Sequence, residues 1–284
     1  MSFDIPKGEL FGLIGPDGAG KTTIFRILAT LLIPGKGKAL VEGLDVVKDY
    51  KKIRGMLGYM AGRFSLYQDL SVQENLEFYA TIFGTTVKEN YDLIKDIYQQ
   101  LEPFKTRLAG KLSGGMKQKL ALCCALIHNP SVLILDEPTT GVDAVSRMEF
   151  WEILSKLKQE GITIIVSTPY MDEAGLCDRV ALIQSGNIMA IDQPENITQA
   201  FSRTLYALRS DDIHKLILDL EVYQHTNSVH LFGHYLHYTD KRSGDLTPDL
   251  NDFMKLKGHA AIELKIIPAV IEDCFMEFMK TQAS

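Results

Sequence analysis

The chain has 284 residues, of which 46% are hydrophobic, and a formal net charge of −6. This length and apolar content allow one large domain or two smaller ones. The acidic balance gives no broad electrostatic footprint for nucleic acid, so no nucleic-acid partner is expected. No apolar run reaches the roughly 18–20 residues of a transmembrane helix, and the N-terminus resembles neither a signal nor a transit peptide. We therefore expect any membrane role to come through a partner.

The first elements in chain order predict an α/β fold. A short buried strand over 9–14 leads into a Gly-rich loop, and a helix with one apolar side is predicted over 21–32. Strand-like segments at 38–42 and 56–60 follow, and then comes a mostly helical block from 71 to 128. The four cysteines lack CxxC spacing, which is typical of proteins in a reducing cytosol.

Three short apolar runs come next, at 132–135, 162–166 and 180–183, and amphipathic stretches alternate with them. Runs that are apolar on both faces are what a parallel sheet covered by helices requires. We therefore predict an α/β domain over 1–202, with a helical insertion at about 63–128.

The composition shifts near residue 203, where a new pattern of short elements begins. Its βαββαβ order predicts a small α+β ferredoxin-like domain over 203–284, with its helices on one face of an antiparallel sheet. Four histidines lie around the predicted hairpin: His225, His230, His234 and His237. They fall on mixed faces without a carboxylate clasp, so the pattern predicts surface histidines and no metal site.

The strongest chemical signal is a Gly-rich loop between the first strand and the first helix. It satisfies the spacing of a phosphate-binding P-loop. Its residues are Gly15, Pro16, Asp17, Gly18, Ala19, Gly20, Lys21, Thr22 and Thr23. Glycines let successive N–H groups face an anion, and the helix N-terminus adds partial positive charge. Lys21 is expected to reach the β- and γ-phosphates of ATP, and the Thr22 hydroxyl to ligate Mg²⁺.

A second signal is a pair of carboxylates at the end of the apolar run 132–135. Asp136 is expected beside the P-loop, where it would hold Mg²⁺ through water, because ligands gather at strand ends in this fold class. Glu137 is expected to polarise the attacking water as general base. Such a pair alone is more often a solvated strand end, but the P-loop favours the catalytic interpretation. The two motifs define a P-loop nucleotidase.

The segment Leu-Ser-Gly-Gly-Met-Lys-Gln narrows this class. Ser113, Gly114 and Gly115 precede a predicted helix and form a second phosphate-binding helix N-terminus. Here the sequence closely resembles the nucleotide-binding subunits of ABC transporters, whose LSGGQ signature it matches except at Met116. The resemblance covers about residues 3–200 and includes four motifs in the correct order.

This resemblance implies an ABC cassette, a P-loop NTPase with a mixed sheet core and a helical subdomain, which hydrolyses ATP. In that family the signature covers the ATP held by the opposite subunit. The resemblance therefore implies a head-to-tail homodimer or heterodimer with two ATP molecules at the seam, and Asp143 lies in a segment resembling the D-loop that crosses it. It also implies membrane-spanning permease subunits as partners and a peripheral position on the cytoplasmic side of the cell membrane.

Within the family, the P-loop, the signature and the segment Ser-Thr-Pro-Tyr-Met-Asp-Glu-Ala look most like drug-export ATPases of the daunorubicin-exporter type. The ferredoxin-like tail also looks like the accessory C-terminal domain of that group.

Three departures from the family pattern bear on the mechanism. Gly62 stands where the family has the Q-loop glutamine, which ligates Mg²⁺, orders water and relays the nucleotide state. Pro169 replaces the switch histidine and has neither an imidazole nor an N–H donor. The family's first strand and adenine-stacking aromatic are expected further upstream than this chain begins. Loss of that stack is expected to weaken nucleotide binding by about 1–3 kcal/mol.

These departures leave two interpretations, an eroded or truncated cassette and a cassette specialised to bind ATP beside a competent partner. The intact Lys21, Glu137 and signature favour specialisation. Two other functions remain open, a soluble ABC protein acting on ribosomes or DNA and a non-hydrolysing regulatory module. The first usually carries two cassettes with a basic linker, or a long coiled-coil insertion, and neither is found in this sequence.

Two further groups of residues are ambiguous in the sequence. Phe64, Leu66 and Tyr67 suit either the core or the groove that, in the family, receives the coupling helix of the membrane subunit. Lys117 and Lys119 are interpreted as a solvated helix face.

Overall fold

The computed structural model describes residues 1–62 and 66–283, with side chains up to residue 280. It divides into two compact units, Met1–Pro194 and Glu195–Ser284. This division falls earlier than the boundary predicted after residue 202. The reason is that a short helix before that point belongs to the second unit, where the Cys274 thiol lies 3.5 Å from the carbonyl of Ile197. Among the described residues, no helix combines the length and apolar character needed to cross a membrane.

The first unit is built on a six-stranded sheet with the order β4-β5-β6-β1-β7-β8 and a separate two-stranded hairpin. Its strands are β1 Leu10–Ile14, β2 Leu40–Val41, β3 Leu44–Asp45, β4 Leu57–Met60, β5 Val132–Asp136, β6 Thr163–Thr168, β7 Arg179–Gln184 and β8 Asn187–Asp192. Neighbouring strands are parallel from β4 through β5, β6 and β1 to β7. Strands β7 and β8 are antiparallel, so the sheet is mixed. Every residue of β1, β5 and β6 is buried, as strands covered on both faces require.

Helices cover this sheet and form the insertion between β4 and β5. They are α1 Lys21–Leu28, α2 Tyr50–Met56, α3 Val72–Ile82, α4 Tyr91–Tyr98, α5 Gly114–Leu126 and α6 Ala144–Gln159. Helix α7, Pro194–Gln199, lies at the start of the second unit. Ser71 and Glu74 form a capping box that starts α3, because each satisfies a backbone N–H of the other. Ile94 and Tyr98 of α4 are buried, as is Leu101 after it.

Helix α1 is shorter than its apolar spacing suggests. Thr30 has a φ of +60°, in the left-handed region that ends helices. The N–H of Leu31 bonds back to the carbonyl of Arg26 at 2.7 Å, which closes the helix. Leu31 and Leu32 are consequently exposed, although the predicted helix placed them on the apolar side with Ile27.

The second unit contains a four-stranded antiparallel sheet with the order β10-β11-β9-β12. Its elements are β9 Leu205–Arg209, α8 Ile213–Glu221, β10 Thr226–Phe232, β11 Tyr235–Asp240, α9 Thr247–Leu256, β12 Glu263–Ile267 and α10 Ile271–Ala283. Tyr206 and Leu208 of β9 pack with Leu216 of α8 and Leu250 of α9 in one buried cluster. Helices α8 and α9 therefore cover one face of this sheet.

Helix α10 contacts the opposite face, whereas the sequence predicts all helices on one face. His237 is the strand neighbour of Tyr238 and so points away from the cluster. Its Nδ1 lies 2.7 Å from Oδ1 of Asp273 in α10, and the Asn227 amide donates to Glu277 of the same helix. The prediction of a surface histidine cluster is thus wrong for His237, which is buried. No group of three metal-ligating side chains is assembled in the part of the chain that the structure describes.

We expect Leu208→Ala to lower the free energy of unfolding of the second unit by about 2–5 kcal/mol, because the side chain is fully buried and its loss leaves a cavity. Leu218→Ala is the matched control, since Leu218 is 65% exposed and its truncation should cost less than about 0.5 kcal/mol. Hydrogen exchange of the β9 amides measures both changes. Equal effects of the two variants would contradict the assignment of the core.

Candidate nucleotide-binding site

The predicted motifs meet at one edge of the first sheet. Strands β1, β4, β5 and β6 are parallel, so their carboxyl ends lie on the same side. The P-loop follows β1, Asp136 ends β5, Glu137 follows it, and Pro169 follows β6. Gly62 lies just beyond β4. The structure therefore brings together the P-loop (Walker A), the carboxylates Asp136 and Glu137 (Walker B) and the two positions that depart from the family pattern, Gly62 and Pro169.

Glycines give the P-loop its course. A Cβ on Gly15 would lie 2.1 Å from the carbonyl oxygen of Ile183, so only glycine fits where the chain leaves β1. Gly18 and Gly20 have φ values of +78° and +104°, in the region that favours glycine. The loop then opens directly into α1 at Lys21, which places the helix N-terminus against the loop.

Lys21 is enclosed at the centre of this edge. Its side chain is 3% exposed, and its Nζ donates to the carbonyls of Gly15 and Pro16 at 2.7 and 3.1 Å. The same Nζ lies 3.2 Å from Oε1 of Glu137, whose side chain is 24% exposed. Lys21 thus links Walker A to the predicted general base.

Asp136 is buried and accepts two hydroxyl hydrogen bonds on one oxygen. Thr22 Oγ1 donates to its Oδ1 at 3.2 Å, and Ser167 Oγ donates to the same atom at 2.8 Å. Because Thr22 uses its hydrogen here, the lone pairs of its hydroxyl remain for a cation. Hydroxyl and carboxylate oxygens are ligands that Mg²⁺ prefers, so this pair fits that ion.

Glu137 has a constrained backbone. Its φ of +50° is unusual for a residue with a side chain. Its N–H donates to Ser167 Oγ at 2.9 Å, which holds the strand end in that conformation.

The signature segment forms a second helix N-terminus. Ser113 caps α5, and its Oγ accepts the N–H of Met116 at 3.3 Å. Asp143 caps α6 by accepting the N–H of Ser146. Hydrogen bonds from the backbone and side chain of Ser146 hold the pKa of the Asp143 carboxyl below its usual value. A Cβ on Gly115 would stand 2.8 Å from Ser146 Oγ, so the two helix starts are in close contact.

Within the described residues, no hydrogen bond or ion pair joins the signature to the P-loop or to Asp136 and Glu137. The signature and the Walker motifs are therefore separate groups of residues on this chain.

Gly62 is exposed, but its backbone runs close to the end of β5. A Cβ built on it would lie 2.8 Å from the carbonyl oxygen of Asp136 and 3.9 Å from Cβ of Glu137. The Asp136 carbonyl therefore stands where a side chain at position 62 would begin. The nearby Phe64 lies outside the described residues.

A buried carboxylate behind Pro169 was missed by the sequence analysis. Oε2 of Glu173 accepts the hydroxyls of Thr139 and Thr168, which flank the Walker B and switch segments. Its Oε1 lies 3.6 Å from Nε of Arg147, whose guanidinium stacks over the ring of Tyr170. The segment that carries Pro169 is thus anchored although the imidazole is absent. The signal in the sequence was the adjacent acidic pair Asp172 and Glu173, which is too weak to assign a role to either residue.

The prediction that Lys119 is solvated is wrong. The sequence places it on a solvated helix face, but it is buried, and its Nζ donates to Gln100 and to Glu149 of α6 at 2.5 Å each. These two partners are distant in the sequence, so helical spacing alone could not reveal them.

A groove of about 720 Å³ lies between the sheet and the helical insertion. Its lining includes Leu31, Tyr59, Tyr79 and Phe83. Burial raises the pKa of the Tyr79 hydroxyl to about 12, so this ring stays neutral and contributes apolar surface. Tyr67 is half exposed and packs edge-on against Phe78.

The fold and this arrangement of motifs define a P-loop ATPase cassette. The sequence profile described as ABC transporter matches residues 1–140. The chain is 45% identical over 209 residues to the probable multidrug ABC transporter ATP-binding protein YbhF of Escherichia coli (strain K12), an alignment that covers 72% of this chain and 36% of that protein. It therefore spans about a third of the length of that relative.

Two relatives are matched over most of their length. The chain is 38% identical over 193 residues to the ABC transporter ATP-binding protein NatA of Bacillus subtilis (strain 168), covering 66% of this chain and 78% of NatA. It is 33% identical over 283 residues to the Nod factor export ATP-binding protein I of Rhizobium sp. (strain N33), covering 97% and 90%.

Solved structures agree with this comparison. An ATP-binding subunit of an ABC transporter superposes with a TM-score of 0.63 at 27% identity, covering 70% of this chain and 84% of the other. The dimeric cassette MJ0796, in a post-hydrolysis state bound to ADP and Pi, gives 0.61 at 25% identity, covering 67% and 88%. The chain belongs to the family of ABC transporter ATP-binding cassettes.

Proposed function

We propose that this chain binds ATP with Mg²⁺ and acts as the motor subunit of an ABC export complex, on the cytoplasmic face of the cell membrane. The observation that carries the proposal is the convergence of Lys21, Thr22, Asp136 and Glu137 at one sheet edge. Export is supported by relatives whose names include multidrug transport and Nod factor export. The same relatives do not favour a soluble role on ribosomes or DNA.

The chemistry assigned to each residue follows from its position. Lys21 neutralises the β- and γ-phosphates, and the backbone of the P-loop holds them at the helix N-terminus. Glu137 orients the attacking water and accepts its proton. Thr22 and Asp136 hold Mg²⁺, which supplies charge neutralisation of the triphosphate when it is bound.

Turnover at this chain's own site is slow in this proposal. Gly62 contributes no oxygen ligand and Pro169 no imidazole. Each lost transition-state contact costs about 10²–10³ in rate. A second candidate function is therefore a cassette that hydrolyses little ATP itself and completes the active site of a partner cassette, since Ser113 still caps the signature helix.

Transport requires membrane-spanning permease subunits, which this chain does not supply from its described residues. We assign their coupling helices to the groove lined by Leu31, Tyr59 and Phe83, because its lining is largely apolar and it lies between the sheet and the helical insertion. Affinity purification from a detergent extract should recover membrane subunits with the chain. Recovery in the ribosomal pellet alone would favour the soluble alternative.

We expect Lys21→Ala to abolish Mg-ATP binding measured by calorimetry, because no other side chain in the P-loop carries a positive charge. Lys52→Ala is the control, since its ammonium is 73% exposed on α2, and it should bind as the unchanged chain does. Undiminished binding by Lys21→Ala would remove the P-loop from the proposal.

A further inference from the structure

Ser167 is a buried polar residue inside an apolar strand. It belongs to β6, is fully inaccessible to solvent, and pairs in register with Asp136 of β5. A hydroxyl in such a position destabilises the strand unless it is hydrogen-bonded. Its partners are therefore informative about why it is there.

Both partners of this hydroxyl belong to Walker B. Ser167 Oγ donates to Oδ1 of Asp136 at 2.8 Å and accepts the N–H of Glu137 at 2.9 Å. One hydroxyl thus binds the side chain of one catalytic-site residue and the backbone of the next. Since a serine hydroxyl carries a single hydrogen, the O–H donor of Ser167 is used by Asp136.

One of these hydrogen bonds restrains the backbone of Glu137, and the other restrains the carboxylate of Asp136. Without its N–H partner, Glu137 has no such restraint on a backbone that is held at a φ of +50°. Without Ser167, the one hydrogen bond left to Oδ1 of Asp136 from the described residues is that of the Thr22 hydroxyl, at 3.2 Å. Both hydroxyls bind Oδ1, so neither of them occupies Oδ2. The carboxylate is therefore fixed in rotation while its second oxygen stays available.

This restraint matters more here because Gly62 brings no ligand oxygen. Asp136 and Thr22 are the two side chains assigned to the cation, and Ser167 sets the orientation of the first. We propose that Ser167 is a positioning residue, which orients Asp136 toward the nucleotide-bound cation and fixes the backbone that presents Glu137. This inference rests on the proposed function and adds to it a residue that does not touch substrate.

The test compares Ser167→Ala with a buried hydroxyl elsewhere on the same strand. Thr163 of β6 is also buried, and its Oγ1 accepts the N–H of Gly8 at 3.0 Å, remote from Walker B. Thr163→Val removes that hydrogen bond and so controls for a general loss of strand stability. Ser167→Thr keeps the hydroxyl and tests for rescue.

Binding of ATP is measured by calorimetry as Mg²⁺ is varied, and again in excess chelator. We expect Ser167→Ala to raise the half-saturating Mg²⁺ concentration about tenfold, since a hydrogen bond to a charged group is lost. Binding in chelator should stay within about twofold, and Ser167→Thr should restore the Mg²⁺ dependence. Thr163→Val should leave the Mg²⁺ dependence unchanged even where it lowers stability, which the fluorescence of the single tryptophan, Trp151, reports.

An unchanged Mg²⁺ dependence in Ser167→Ala, or an equal shift in Thr163→Val, overturns the role of Ser167 and leaves the proposed function intact. An unmodified chain that binds no ATP at any Mg²⁺ concentration overturns the proposed function, and this inference with it.

Discussion

Ser113→Arg is expected to abolish ATP hydrolysis by a mixed dimer of this chain with an intact cassette, whereas Glu137→Gln should lower it only slightly. In the proposed head-to-tail dimer, the signature of this chain covers the ATP held by its partner. The helix start at Ser113 is exposed and Gly115 is packed against Ser146, so an arginine at 113 has no room inside the chain and projects toward the partner's phosphates. The strong site is then blocked.

Glu137 serves only this chain's own site, which already lacks contributions at positions 62 and 169. Its loss therefore removes little from the total rate. Ser113→Ala separates bulk from loss of the cap, because it removes the cap at about 1 kcal/mol of stability without adding bulk, and it should lower turnover less than Ser113→Arg. Steady-state phosphate release by the mixed dimer measures all three variants. If Glu137→Gln stops turnover and Ser113→Arg spares it, this chain's own site performs the hydrolysis and the specialised-partner proposal is wrong.

Pro169→His should raise the turnover of this chain's own site about 100-fold, whereas Gly62→Gln should give no gain. The imidazole restores a contact worth about 10²–10³ in rate, and the surrounding segment is already held by Glu173 through Thr168. At position 62 the backbone of Asp136 leaves no room for a side chain. Any Cβ there meets the Asp136 carbonyl at 2.8 Å, so a glutamine displaces the strand end that presents the Walker B carboxylates.

Gly62→Ala isolates this steric effect, because it adds the Cβ alone. We expect Gly62→Ala and Gly62→Gln to lower the melting temperature by similar amounts, and single-turnover hydrolysis to be no faster in either. A rise in rate for Gly62→Gln as large as that for Pro169→His would show that the loop has space for the glutamine.

The sequence predicted the fold class and which residues meet at this sheet edge, but not the order of the strands. Lys21, Thr22 and Asp136 could be assigned because phosphate and cation binding demand particular residue types at fixed spacing, and the structure places these three within hydrogen-bond distance of one another or of neighbouring Walker residues. The order of the strands in the sheet could not be predicted in this way. It depends on which strands pair across long loops, as β1 does with β6, and no local pattern records this.

The failures have a common physical cause. Lys119 was interpreted from its helix alone, but its partners Gln100 and Glu149 come from other segments. Ser167 was overlooked because one polar residue in an apolar run shows no period, and its purpose is visible only once Asp136 lies opposite. Helix α10 was placed on the wrong face because the side of a sheet that a helix covers is set by its connection and not by its own amphipathic pattern.

The ion pair between Lys21 and Glu137 has a consequence for how nucleotide binding and catalysis are linked. The proposed general base, Glu137, competes with phosphate for the Lys21 ammonium, which lies 3.2 Å from its carboxylate. A triphosphate that takes the N–H facing Glu137 releases the carboxylate, so in the proposed function loading the site and freeing its base are coupled. The measured affinity for ATP then contains the free energy of breaking this pair.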